Sequence, residues 1–278
     1  TQDVATLRSG QIEGWSSTQF NQLLPGQVAA LGVSQVGILS TRLLAGMDTD
    51  HFGSLTTAQL NVLTRAQAAT FNSDQLHALD TGQIQALRPT VISALTTSAF
   101  SGIDGSQMLA LTQAQVGQLA TSQIDALSTS QIAAITTTGL AGLRVPQLQS
   151  MRTDQIRALT TDQVANLSAS QLLSLSTGKV MALRTDQVAA LTASQAFALS
   201  YTQISTLNSE QVTALSLDAI GALRNAQVAS LTTTALAGLS TDQIVQLSRA
   251  QIGAFSTTQI SALSTEQLTA VEDADIPG

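Results

Sequence analysis

One spacing constrains this chain more than any other feature: a large apolar residue returns every eighth position. It runs from Leu7 through Trp15, Leu23, Leu31, Leu39 and Met47 to Leu263, 33 units without an insertion or a deletion. The sixth position of every unit is apolar as well, from Ile12, Phe20 and Val28 to Leu268, with Ala68 and Ala196 its only small members. Position five is Gln in 25 of the 33 units, and position two is Ser, Thr, Asn, Asp or Gly in 25. The consensus reads Leu-(Ser/Thr)-Thr-x-Gln-(Ile/Val)-x-Ala.

Neither regular structure accepts this period. On a continuous α-helix each octad advances about 800°, so the leucine row creeps by roughly 80° per unit and no apolar stripe forms. A plain strand fails because positions one and six have opposite parity and project from opposite faces.

A helix that restarts in every octad does fit. With position two as N-cap, position five is N3, and Ser or Thr followed by Gln at that spacing is a capping box. Positions one and six then become N′ and N4, the pair of a hydrophobic staple. Asp154, Asp162, Asp186, Glu210, Asp242 and Glu266 fall at N2, where the helix dipole favours negative charge. Pro25 and Pro89 fall at N1 and Pro146 at N2, where a missing N–H costs little.

Helices of five or six residues are unstable alone, so the units must stack and bury positions one and six. The expected fold is all-α, a solenoid of short capped helices, one per octad, forming a single repeat domain over 1–278 with atypical ends at 1–6 and 271–278. Ala at position eight allows close approach, and Gly46, Gly102, Gly142 and Gly238 are expected to ease the turn between units. A slower rhythm is also present. Gln is replaced at 99, 139, 179 and 219, every 40 residues, and Arg144, Arg184 and Arg224 follow the last three at a constant offset. Five octads are read as a superhelical turn or as a duplication unit.

Composition narrows the function. With 44% hydrophobic residues the chain has the material for a core, but only 10% are charged and 3% aromatic. The net charge is −7, and the 11 basic residues are scattered, which argues against nucleic-acid binding. Without cysteine there is no disulfide framework or thiolate chemistry. No apolar run reaches the 18 residues of a membrane span. The first residue is Thr1 rather than Met, the expectation being a processed chain or a piece of a longer one.

Chemistry-bearing motifs are sparse. "MDTDHF" (47–52) gathers Asp48, Asp50 and His51, but lacks the further ligands of a calcium or zinc site and reads as a capped, acidic helix start. His51 occupies a glutamine position and His77 an exposed position seven, so both read as surface residues or cap substitutes. "STGK" (176–179) matches Ser-x-x-Lys, yet no SDN or KTG accompanies it and the octad explains its Ser as a cap. The acidic tail "EDADIPG" (272–278) reads as a frayed end. Trp15 alone makes no base-stacking surface. Thr fills position three in 16 units, a row of hydroxyls interrupted by Pro25, Val33, Arg65, Val145, Tyr201, Leu217 and Arg249. The expectation is therefore no enzyme, no cofactor and no metal site.

Runs such as "LTTDQVANLSASQLLSL" (159–175) and "FSTTQISALSTEQLTAV" (255–271) resemble the Leu-Ser/Thr-x-x-Gln-Ile/Val-x-Ala arrays of large, low-complexity bacterial surface and secreted proteins. The resemblance covers nearly the whole chain. It implies an extracellular structural, adhesive or matrix role, and brings no catalytic residues with it.

The leading expectation is a secreted or cell-surface structural protein forming a stalk, fibre or filament by end-to-end self-association. Its terminal octads keep their apolar residues Leu7, Ile12, Leu263 and Leu268, which Val4, Val271 and Ile276 cover only in part. The alternatives are a solenoid that recognises a protein or surface ligand on its repeats, and an ice- or water-ordering protein using the threonine row.

Overall fold

The computed structural model describes residues 2–274; Thr1 and residues 275–278, among them Ile276 and the end of the acidic tail, lie outside the described residues. Among the described residues there is no strand. α1 (Gln2–Ala5) is followed by one helix per octad, from α2 (Ser9–Ile12) to α34 (Thr265–Ala274). The N-terminal segment is thus itself a partial octad, with Val4 buried in the position-six row. At the other end, 271–274 prolong the last helix instead of fraying.

Local chemistry sets every boundary. At α31 (Thr241–Val245) the N-cap Ser240 is extended, at φ −71° and ψ 161°. Its Oγ accepts from the Gln243 N–H at 3.1 Å, and Gln243 Oε1 accepts from the Ser240 N–H at 2.9 Å, closing both halves of the capping box. Where position two has no acceptor, the glutamine half persists: the N–H groups of Leu24, Ala120 and Arg184 donate to Gln27, Gln123 and Gln187 at 2.7, 2.7 and 2.8 Å. The proline placements hold as well, with Pro25 and Pro89 first in their helices and Pro146 second.

Each helix ends by tightening. From α2 to the helix before α34 the N–H of the next position one donates to the position-six carbonyl, as from Leu247 to Ile244 at 3.0 Å, except that Leu199 donates to Gln195; the chain then turns through extended torsions. No glycine among the described residues has a positive φ. The expectation that glycine eases the turn is therefore corrected. A Cβ on Gly102, Gly142 or Gly238 would lie 2.1, 2.3 or 2.5 Å from the carbonyl oxygen of Ser73, Gln113 or Ser209, each 29 residues earlier. Glycine at position eight serves close approach, not backbone freedom. In these three octads position five is also small (Ala99, Gly139, Ala235).

The contacts set the pitch. The chain divides into two compact units, Thr1–Leu143 and Arg144–Gly278. Within each, helices pack on the third helix before and the third after, so three octads, 24 residues, make one turn. Each unit is an all-α solenoid. The 40-residue rhythm is not the turn, because 40 is not a multiple of 24 and residues so spaced do not stack. Positions one and six form the core as expected, Leu183 and Val188 being 3% and 0% exposed. Burying each such side chain contributes about 1.5–3 kcal/mol, which is what holds helices too short to stand alone.

Candidate functional site

A third buried row went unread in the sequence. Position-five glutamines are buried almost throughout, and their amide groups look backwards along the coil. Gln187 Nε2 donates to the carbonyls of Ile156 at 2.9 Å, Arg157 at 3.3 Å and Leu159 at 2.7 Å. These are the carbonyls left over where α20 (Thr153–Ala158) ends in the preceding turn. One side chain therefore caps the start of its own helix through Oε1 and the end of another through Nε2. Gln59, Gln107, Gln195 and Gln227 repeat the arrangement at the same offsets of 28, 30 and 31 residues. No buried polar side-chain atom among the described residues is left without a partner. The sequence did carry a signal for this row. A capping box accepts Glu as readily as Gln, yet no octad has Glu at position five, because only the amide can donate as well as accept.

Two of the eight exceptions keep a donor. Lys179 stands at position five and its Nζ donates to the carbonyls of Leu148 at 3.3 Å and Gln149 at 2.5 Å. Burial lowers its pKa from the usual lysine value. His51 does the same through Nε2, 2.6 Å from the Leu23 carbonyl, while Nδ1 lies 2.5 Å from Asp48 Oδ1. Arginines at position two give up the cap but also reach back, Arg88 to Leu63 O at 2.5 Å and Arg224 to Leu199 O at 2.7 Å.

Residues 132–169 match the ALTTAQ repeat. No curated protein matches the chain. Among solved structures, it is similar to the leucine-rich repeat-containing protein LegL7 from Legionella pneumophila at 12% identity, over 87% of this chain and 89% of that one. The TM-score of 0.22 is too low to equate the two coils. The chain is thus a repeat protein, its ALTTAQ repeat lying amid octads of the same pattern.

The motifs flagged by sequence take the following places in the fold. Asp48 is the N-cap of α7 (Thr49–Gly53), as expected, but His51 is buried rather than on the surface. His77 is exposed, its Nδ1 4.0 Å from Asp104 Oδ2, and lies with Asp50 and Asp74 along an open groove. No group of three or more His, Asp or Glu is placed to hold a metal among the described residues. In "STGK", Ser176 sits at the N-cap without a side-chain cap bond, and Lys179 is engaged with the preceding turn. Three octads per turn distribute the position-three residues over three faces of each unit: one face of the second unit carries Thr161, Thr185, Ser209, Thr233 and Thr257 in register, whereas Tyr201, Leu217 and Arg249 interrupt the other two.

The four end residues divide. Ile12 is fully buried and Leu263 nearly so, whereas Leu7 is half-buried and Leu268 is 40% exposed. The partial cover expected at the ends thus leaves Leu7 and Leu268 accessible, while Ile12 and Leu263 are buried and offer no end surface. Position one leans on the preceding turn and position six on the following one. The apolar surface on the N-terminal side is therefore Leu7, Trp15 and Leu23, and on the C-terminal side Ile260 and Leu268. The glutamine ladder ends in the same way. Gln11, Gln19 and Gln27 accept from their N-caps, but their Nε2 groups donate to no carbonyl among the described residues. Conversely, the carbonyls that close α31, α32 (Arg249–Ile252) and α33 (Thr257–Ser261) receive no glutamine.

One lateral face departs from the polar pattern. Leu173, Phe197 and Val245 occupy position seven at 24- and 48-residue spacing and are about half exposed, with Tyr201 beside them at 61%. Leu173, Tyr201 and Arg224 line a pocket of about 340 Å³, and the Arg224 guanidinium stands 5.2 Å from the Phe197 ring centroid.

Proposed function

We propose that this is a structural, non-enzymatic repeat protein outside the cell, whose copies stack end to end into a stalk or filament. The observation that carries the reading is the complementarity of the two end faces. One offers three amide donors, Gln11, Gln19 and Gln27, beside Leu7, Trp15 and Leu23. The other offers the carbonyls of 244–263 beside Ile260 and Leu268. Joined, they would repeat the contact each turn makes with the next, with 28- to 31-residue bonds made between copies. The low charge and the resemblance to surface and secreted arrays support the location. No described helix is long and apolar enough to cross a membrane.

The test is sedimentation of the 278-residue chain over a wide concentration range, with electron microscopy. Species larger than a monomer that grow with concentration and form rods are expected. The triple variant Gln11→Glu, Gln19→Glu, Gln27→Glu keeps the cap acceptors, removes the donors and is expected to stay monomeric. A wild-type chain that is strictly monomeric would overturn the reading.

The lateral cluster of Leu173, Phe197, Tyr201 and Arg224 favours a second reading, a solenoid that recognises a partner on that face. In that case the chain stays monomeric, and Phe197→Ala with Tyr201→Ala abolishes partner binding without changing the helix signal.

A further inference from the structure

We propose that His51 is a protonation switch fastening the turn of residues 7–30 to the turn that follows it. Its place in the ladder makes it the critical donor. Gln35 holds the chain at Leu7, 2.6 Å from its carbonyl, and Gln59 holds it at Val28, at 2.9 Å. Between them stand two position-five residues, Leu43 and His51. Leu43 cannot donate. Among the described residues His51 is the one position-five side chain that bonds to the stretch between Leu7 and Val28, which is otherwise tied by Asn21, whose amide donates to Gly46 O at 3.0 Å.

The geometry assigns the protonation state. His51 Nδ1 faces the Asp48 carboxylate at 2.5 Å and Nε2 faces the Leu23 carbonyl at 2.6 Å, and both partners only accept. A neutral imidazole has one N–H and can satisfy one of them; the imidazolium satisfies both. Rotation offers little escape, because the buried ring packs edge-to-face on Phe20 with centroids 6.4 Å apart.

The surrounding charges agree. Asp48 and Asp50 flank the ring on its own helix. α10 (Ser73–His77), packed against α7, brings Asp74 and His77 to the groove beside Asp50. α4 (Pro25–Ala29), the other helix packed against α7, carries no charge, nor does α3 (Ser17–Phe20), which supplies Phe20. Burial opposes the charge on His51, but the Leu23 carbonyl and the Asp48 carboxylate outweigh it and raise its pKa above the ordinary histidine value. A raised folded value means the fastening is complete below about pH 6.5, the unfolded histidine value, and is lost as pH rises through the folded one. Asp48, whose pKa is lowered despite the opposing effect of burial, keeps its charge throughout that window.

The fastening is internal to one chain and does not depend on end-to-end stacking. Its test is a side-chain ¹⁵N NMR titration of the full chain, with His51→Gln used to assign the resonances. Both ring nitrogens of His51 are expected to be protonated at pH 6.5, with a midpoint above it. Hydrogen exchange of amides in residues 8–27, corrected for the intrinsic effect of pH, is expected to quicken several-fold across that midpoint. His51→Gln restores the glutamine of the other octads and is expected to remove the pH dependence. A ring that is neutral at pH 6.5, or a pH dependence that survives in His51→Gln, would overturn the proposal. The wild-type titration decides the protonation state even if the variant folds poorly.

Discussion

At position five an amide does what no other common side chain can. Oε1 must accept from an N-cap N–H, and Nε2 must donate to carbonyls of the preceding turn. Gln187→Glu changes one atom and tests the second role. At neutral pH its carboxylate would face the oxygens of Ile156, Arg157 and Leu159. The expected loss is about 2–5 kcal/mol, the range for a buried hydrogen-bonding group left with an uncompensated charge. The pH dependence has a definite sign. Burial raises the folded pKa of such a Glu, so its protonated, donating form supports the fold below about pH 4.3, and that support disappears as pH rises through the folded value. Denaturant titrations at pH 4 and pH 7.5 should show the deficit shrinking in acid. Gln11→Glu, at an exposed position that donates to no carbonyl, should fall within about 0.5 kcal/mol of the parent.

For the element, the question is how a helix of four to six residues is held at both ends. Ser240→Ala removes an Oγ that accepts from Gln243 N–H and should cost about 0.5–2 kcal/mol by denaturant titration. Thr241→Ala, at exposed N1, should cost less; the reverse order would put the capping frame off by one. Gly102→Ala tests the close approach. Its Cβ would meet the Ser73 carbonyl oxygen at 2.1 Å, so a loss of about 1–3 kcal/mol is expected although the backbone torsions suit alanine. Much of this level was legible from the sequence, because caps, staples and prolines are rules about neighbours three or four residues apart. Ser240, Asp186 and Pro146 could each be placed from local spacing alone. What was not legible lay one turn away. Nothing local says that Gly102 must clear Ser73, or that Gln187 reaches Leu159. The near role of glutamine as a cap hid its far role. The turn of three octads was hidden for the same reason, since an eight-residue period fixes the unit but not how many units close a circuit.

For the whole molecule, stability comes from stacked turns, so damage should follow register. Leu183→Ala empties a buried position-one site and should destabilise by about 2–5 kcal/mol, against about 1 kcal/mol or less for exposed Asp186→Ala. Deleting residues 183–190, one octad, keeps every later glutamine aimed at a junction. A cooperative melt by circular dichroism should survive. Deleting 183–186 puts helix starts where helix ends belong, and cooperativity should be lost. Position-five amides such as Gln59 and Gln187 bond to residues 28 to 31 places earlier. The coil therefore has a direction of manufacture. As a ribosome releases it, each new octad finds the carbonyls that its glutamine caps already made, while the position-six side chains of one turn are covered when the next turn arrives. A protein of this kind can be lengthened by the addition of octads without lengthening the reach of any contact that makes it fold.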